Sequence, residues 1–169
     1  MPVIKDLSRE TLEAMLVDFA KNWLAHDGLW FQAVENKCDL QTAIELDTQA
    51  WEKFTVIEAK RIMATHGIAE NSGLEGLKKA LGLRLYALLN TQVIGNETEN
   101  SFEFYMVECR VQSARKRKQM PLFPCKPVGI VEYANFARTI DARIKTECIC
   151  CPPDKEAGNK HYCGWRFSI

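Results

Sequence analysis

Apolar residues recur every three or four positions through roughly the first hundred residues, and every second position in the segments near the end. Ser8 is placed to cap a helix, with Glu10 in its first turn, and Leu12, Met15, Leu16, Phe19, Trp23 and Leu24 then follow at helical spacing. "HDG" at 26–28 predicts a kink or an end to that helix, with Leu29, Trp30 and Phe31 opening a short continuation. A long helix is expected from Leu40 to about Thr65, carrying Ile44, Trp51, Phe54 and Ile62 and stopped by Gly67 in "THGI". Ser72 and Glu75 read as a capping box for a third helix, whose buried stripe is Leu74, Leu77, Leu81, Leu85 and Leu88. To about Glu99 the pattern is helical.

The period shortens at Ser101. "SFEFYMVECRVQ" sets Phe102, Phe104 and Met106 on one face and Tyr105, Val107, Cys109 and Val111 on the other, as a central or doubly covered strand would. Pro121, Pro124 and Pro127 punctuate the next segment, and about Gly129 to Ile140 reads as helix again. "RIKTECICC" and "YCGWRFSI" form two further strands around a polar loop, 152–161, with Cys163, Trp165, Phe167 and Ile169 sharing one face. The expected fold is therefore α+β. One domain over 1–169 combines a helical half (1–99) with a cysteine-rich half (100–169). Three or four helices pack on a small antiparallel sheet of three or more strands, built from about 101–112, 143–151 and 162–169.

Composition narrows the function. The chain has 169 residues, enough for a sizeable core in a single domain. At 47% hydrophobic and 26% charged it reads as globular and not as disordered. Lys+Arg and Asp+Glu both number 22, so the net charge is zero and the basic excess of a general nucleic-acid binder is missing. No apolar run is long enough for a bilayer, and the N-terminus lacks the apolar core of a signal peptide. The expectation is a cytoplasmic protein with no nucleic-acid or membrane partner. In that compartment thiols stay reduced and clustered cysteines bind metals or do chemistry.

Four of the seven cysteines fall in "TECICCPPDKEAGNKHYCGW", and an odd total cannot pair completely. Cys148 and Cys151 form C-x-x-C, and Cys163 closes the far side of the loop, as in a zinc ribbon. Spacing leaves the fourth donor open among Cys125, Cys109 and His161. Cys150, two residues after Cys148, would face the same way in a regular strand. Zinc is the expected ion, with an iron–sulfur cluster as the alternative. Redox chemistry competes, although Pro152-Pro153 opposes the helix that usually follows a redox C-x-x-C. So does the plain reading of small buried apolar residues, and Cys38 stands apart as an ordinary packing residue.

A second constellation lies on the helices. Asp47, Trp51, Glu58 and Ile62 share one helix face, and His26, Asp27, Trp30 and Glu35 lie near the expected kink. Carboxylates among Trp and Ile bind a polar ligand or act as acid and base, unless Arg61 or Arg84 pairs them structurally. We take Trp30, Asp47, Trp51, Glu58 and His26 as candidate ligand-binding residues, although His26, before Asp27-Gly28, reads as a helix-end residue ahead of a ligand. "ARKRKQM" at 114–120 reads as a solvated basic face.

"HDGLWFQAVE", "AIELDTQAWEKFTVIEAKRI", "CRVQSARKRKQMPLFPCKPVG" and "TECICCPPD…YCGWRF" together resemble a family of short prokaryotic cytosolic proteins of unknown function, over nearly the whole chain. More distantly, the second half is similar to the L-2-amino-thiazoline-4-carboxylic acid hydrolase-like family. It is also similar to the 4-vinyl reductase type of small-molecule-binding domain, in which cysteines lie near a ligand pocket. The closer resemblance implies motif roles for Cys109, Cys125, Cys148, Cys151 and Cys163, leaves Cys38 and Cys150 as extras, and favours Cys125 or Cys109 over His161.

The leading expectation is a metal-binding protein that holds a small molecule between helices and sheet, with exposed tryptophan faces suited to a homodimer. One alternative is a metal-assisted hydrolase of a small cyclic or amide substrate, using Glu58 or His161 as base. Another is an interaction adaptor with a structural zinc site, which would show a large exposed apolar patch. Neither a phosphate-binding loop nor a G-x-S-x-G or H-E-x-x-H motif occurs.

Overall fold

The computed structural model describes residues 3–154 and 161–169, so most of the polar loop expected at 152–161 lies outside the described residues. Among these residues five helices pack on a four-stranded antiparallel sheet, an α+β fold. The helices are α1 (Arg9–Lys37), α2 (Leu40–His66), α3 (Gly73–Leu81), α4 (Arg110–Arg117) and α5 (Lys126–Ile140). The strands are β1 (Thr91–Gly95), β2 (Ser101–Glu108), β3 (Lys145–Cys150) and β4 (Cys163–Ser168), arranged β1-β2-β4-β3.

Ser8 caps α1 as its position suggests, accepting from the Thr11 N–H at 3.2 Å. The helix then runs unbroken through "HDG", against the expected kink or stop. Gly28 costs only about 1 kcal/mol inside a helix, and aromatic packing on either side outweighs it. Trp23 lies edge-on to Trp51 and stacks on Phe54, while Phe31 meets Phe123 at 4.7 Å. Cys38 ends α1 exposed at the turn, so it is not the packing residue expected. Asp39 caps α2 through the Thr42 N–H at 2.7 Å, and Gly67 ends that helix at φ 62°, in the left-handed region where glycine carries no penalty.

Three other expectations need correcting. Ser72 precedes α3, but its hydroxyl caps nothing and lies buried without a partner among the described residues; the Asp141 carboxylate instead accepts from the Gly73 N–H at 3.0 Å. The leucine stripe also divides, because α3 ends at Leu81 and Leu85–Leu88 form a separate 3-10 turn with Leu88 exposed. Finally, β1 lies within the stretch read as helical, and β2 stops at Glu108, short of 112. The basic run becomes α4. There Arg115 is buried, its guanidinium bidentate to Glu35 of α1 at 2.9 and 3.1 Å and donating to the Pro121 carbonyl at 2.8 Å. A bidentate pair is a tether, and it pins α4 beneath α1.

The main core lies between the inner face of the sheet (Phe102, Phe104, Met106, Trp165, Phe167) and α5 (Tyr133, Phe136, Ala137, Ile140), with Ala59, Ile62 and Met63 of α2 behind. Helix α2 comes close to α5 through small residues: Ala59 and Thr55 are fully buried, and the Thr55 hydroxyl donates to the Glu132 carbonyl at 3.0 Å. The outer sheet face is polar. Glu103 there accepts from the Tyr105 hydroxyl and the Asn96 amide at 2.5 Å each, and from Arg166 at 2.6 Å.

Arg84 is enclosed where α2, α5 and the 3-10 turn meet. It bonds Glu58 of α2 at 2.9 Å and lies 2.6 Å from Glu132 of α5, a contact too poorly aligned for a hydrogen bond and held by charge. Its guanidinium also lies over Phe136, at 4.6 Å from the ring centroid. Removing one partner of such a pair strands the others in a medium that solvates charge poorly. We expect Arg84→Met, which keeps the bulk, to cost about 3–5 kcal/mol in urea unfolding, and Arg84→Met/Glu132→Gln to recover much of that loss.

Candidate functional site

Five of the candidate thiols gather where the β3–β4 end of the sheet meets the start of α5. All seven cysteines are free. Pairing in β3–β4 runs Cys148↔Trp165 and then Cys150↔Gly164, so one extra residue is accommodated between them. This bulge reverses the facing of Cys150, which turns to the outer side beside Gly164 while Cys148 stays on the inner face with Trp165. The expectation that Cys148 and Cys150 face alike fails for that reason, and Cys151 is returned to the interior.

Cys151 is the hub. Its sulfur lies 3.6 Å from that of Cys125, the residue immediately before α5, with Cys148 and Cys163 nearby. Cys125 and Cys148 both have lowered pKa values and the Cys151 thiol is raised, each chiefly through hydrogen bonding among these sulfurs, where the single Cys151 S–H can serve only one acceptor at a time. Around the group, the Gln112 amide donates to Cys125 at 3.5 Å, the Lys126 ammonium attracts Cys148, and Asp154 accepts from the Cys151 N–H at 3.1 Å. Cys109 stands one step away: burial pushes its thiol up to about 12, and the charges of Cys163 and Cys125 add to that. His161, the other candidate for fourth donor, stacks on Tyr105 of the outer sheet face. Among the described residues no three or more His, Cys, Asp or Glu side chains already enclose a metal position. The 3.6 Å separation sets two sulfurs at ligand-like spacing, and the other two must draw in to complete a cage.

A cavity of about 410 Å³ adjoins the cluster. Cys109, Cys125, Cys151 and Cys163 line its sheet side; Asp27 of α1, Asp47 and Trp51 of α2, Tyr86 and Glu132 line the other. Of the expected ligand-binding residues, Asp47 and Trp51 are there. Glu58 is not, because Arg84 takes it up structurally, and His26 and Trp30 sit exposed on α1, outside the lining. Tyr86 and Glu132 belong to the wall with no motif to mark them. Their place in it is set by tertiary contact, which the period of a single helix does not reveal.

Burial pushes the Asp47 carboxyl up to about 7, and the nearby Asp27 and Glu132 charges push the same way against a hydrogen bond from Trp51. Asp27 is raised too, again mainly by burial. Glu132 is raised by burial despite Arg84.

Over residues 5–169 the chain matches DUF6125, a family of unknown function, and it belongs to that family. No curated protein and no solved structure matches it. The family match does not show the more distant hydrolase-like or reductase-type resemblances.

Asp47 gives the site a pH signature. The folded chain keeps its proton up to about 7, whereas the unfolded chain releases it near 3.8, so the stability this group contributes is complete below 3.8 and is lost as pH rises to about 7. Thermal melts of Asp47→Asn should coincide with wild type near pH 4 and exceed it above pH 7, by on the order of 1–3 kcal/mol. Parallel curves across that range would contradict this assignment.

Proposed function

We propose that this protein binds a metal ion through Cys125, Cys148, Cys151 and Cys163, and that the adjoining cavity takes a small molecule. The observation that carries the reading is the 3.6 Å separation of the Cys125 and Cys151 sulfurs. Tetrahedral zinc at about 2.3 Å from each sulfur sets its ligands about 3.8 Å apart, whereas a disulfide would need about 2.05 Å. The spacing fits two thiolates on one ion, zinc or a single iron, and elemental analysis separates the two.

In this reading the ion clamps the β3–β4 end to the first turn of α5, with Gln112 and Lys126 steadying the thiolates. Cys109 remains a neighbour outside the four. Four thiolates close a zinc site, which argues for a structural ion beside a ligand cavity. The hydrolase alternative loses both of its proposed bases, Glu58 to Arg84 and His161 to the outer sheet face, and would pass to Asp47. The adaptor alternative and the proposed homodimer draw on α1, where Phe19, Leu29 and Trp30 are each more than 60% exposed.

Elemental analysis with sulfur-shell X-ray absorption, on protein purified without added metal, should find about one zinc equivalent with sulfur neighbours at about 2.3 Å. Cys151→Ser should lose the ion and several degrees of Tm, while Cys109→Ser and Cys150→Ser should keep it. Folded protein that is free of any ion and indifferent to chelators would end the proposal.

A further inference from the structure

We propose that the cavity ligand is an organic cation: a protonated amine on an apolar or aromatic body, its ammonium seated by Asp27 and Asp47. This rests on the reading of the cavity as a small-molecule site and does not require the metal to be bound.

Buried acids elsewhere in the chain have cations of their own: Arg84 answers Glu58 and Glu132, and Arg115 answers Glu35. Among the described residues neither Asp27 nor Asp47 has such a salt bridge; the charge that favours ionised Asp27 is His26 on the exposed side of α1, and Asp47 has only the Trp51 indole. Two carboxylates on the wall of one cavity, with the Asp27 charge pushing Asp47 up, leave a deficit of positive charge between them. A bound ammonium removes it.

The walls suit such a guest. Trp51 and Tyr86 lie stacked with ring centroids 5.9 Å apart, and both rings already hold a cation, the Arg84 guanidinium, at 5.9 and 5.5 Å. Ring faces of this kind attract ammonium groups electrostatically. A volume of about 410 Å³ suits a single-ring molecule with a short chain.

The sheet side supplies an independent pointer. Trp165 lines the cavity at 1% exposure, and its indole N–H is buried without a hydrogen-bond partner among the described residues. Buried donors are rarely left unanswered. A carbonyl, hydroxyl or ring nitrogen on the far end of the ligand would answer this one. The guest is thus cationic toward α1 and α2 and carries an acceptor toward β4.

Lys21, Arg110, Arg117 and Lys118, exposed basic residues that also line the cavity, argue for the opposite sign, and the test must separate the two. Isothermal titration at pH 8, on zinc-loaded and chelator-treated protein, would compare phenethylamine, 2-phenylethanol and 3-phenylpropionate, which share a ring and differ in charge. Phenethylamine should bind at least tenfold more tightly than the other two, and Asp47→Asn should abolish that preference without changing metal content. Equal or tighter binding of the alcohol or the acid would overturn the cation while leaving a small-molecule site. Failure of all three at millimolar concentration would overturn both. Tyramine, which adds a hydroxyl opposite the amine, should bind more tightly than phenethylamine, and Trp165→Phe should remove that gain; a gain that survives the substitution would sink the assigned acceptor.

Discussion

Gly129 lies directly against the Trp165 indole: a Cβ there would come within 2.7 Å of Cζ2. That close approach lets α5 settle onto β4, and the rest of the site depends on where α5 comes to lie. One turn earlier, the helix begins at Cys125, which reaches Cys151 because the helix is pressed down on the sheet. One turn later, Glu132 and Tyr133 point to opposite tasks, Glu132 toward Arg84 and Tyr133 stacked on Trp165 at 4.8 Å. A side chain at 129 would lift the helix and separate the sulfurs. Fold and thiol cluster therefore share a single steric requirement, and neither can drift without the other.

Charge is distributed by the same geometry. Four acids lie near the junction of α1, α2 and α5, and the structure gives two of them, Glu58 and Glu132, to Arg84. The isolated ion pair contributes little net stability, because desolvation offsets its attraction, but it fixes the register of α2 against α5. Asp27 and Asp47 are the remainder. They stand at a cavity wall where burial already disfavours their charged forms, and nothing in the packing requires a carboxylate there. Groups whose ionisation the fold opposes, at the wall of a cavity, are where function is to be sought.

How much of this could be read along the chain depends on the range of the interactions involved. Ser8 and Gly67 were legible because a cap and a left-handed helix stop are local events. "HDG" misled because its helix-breaking cost is small beside the packing of Trp23 and Phe31, which depends on α2 and the Phe123 loop. In the basic run, Lys116, Arg117 and Lys118 are exposed as a solvated face requires, but the burial of Arg115 was not legible because its partner Glu35 lies 80 residues away. The strand β1 pairs at an edge with little hydrophobic pattern of its own. Cys148, Cys151 and Cys163 were legible as a group from spacing, and Arg84 was legible as a possible carboxylate partner. The choice of Cys125 and the outward turn of Cys150 were not legible, since both depend on a one-residue shift of β3 against β4.

The two halves of the proposed site also constrain one another electrostatically. Four thiolates on a divalent ion would leave a net charge of about −2, and three of their sulfurs, those of Cys125, Cys151 and Cys163, line the same cavity as Asp27, Asp47 and Glu132. In a poorly screened interior that charge acts over the width of the cavity. It would hold the Cys109 thiol protonated and raise the two aspartates further. An anion entering past the basic rim would meet growing repulsion, whereas an ammonium would gain from both walls at once. On the proposed reading, metal loading and cation binding would be linked equilibria, each making the other more favourable through the field alone.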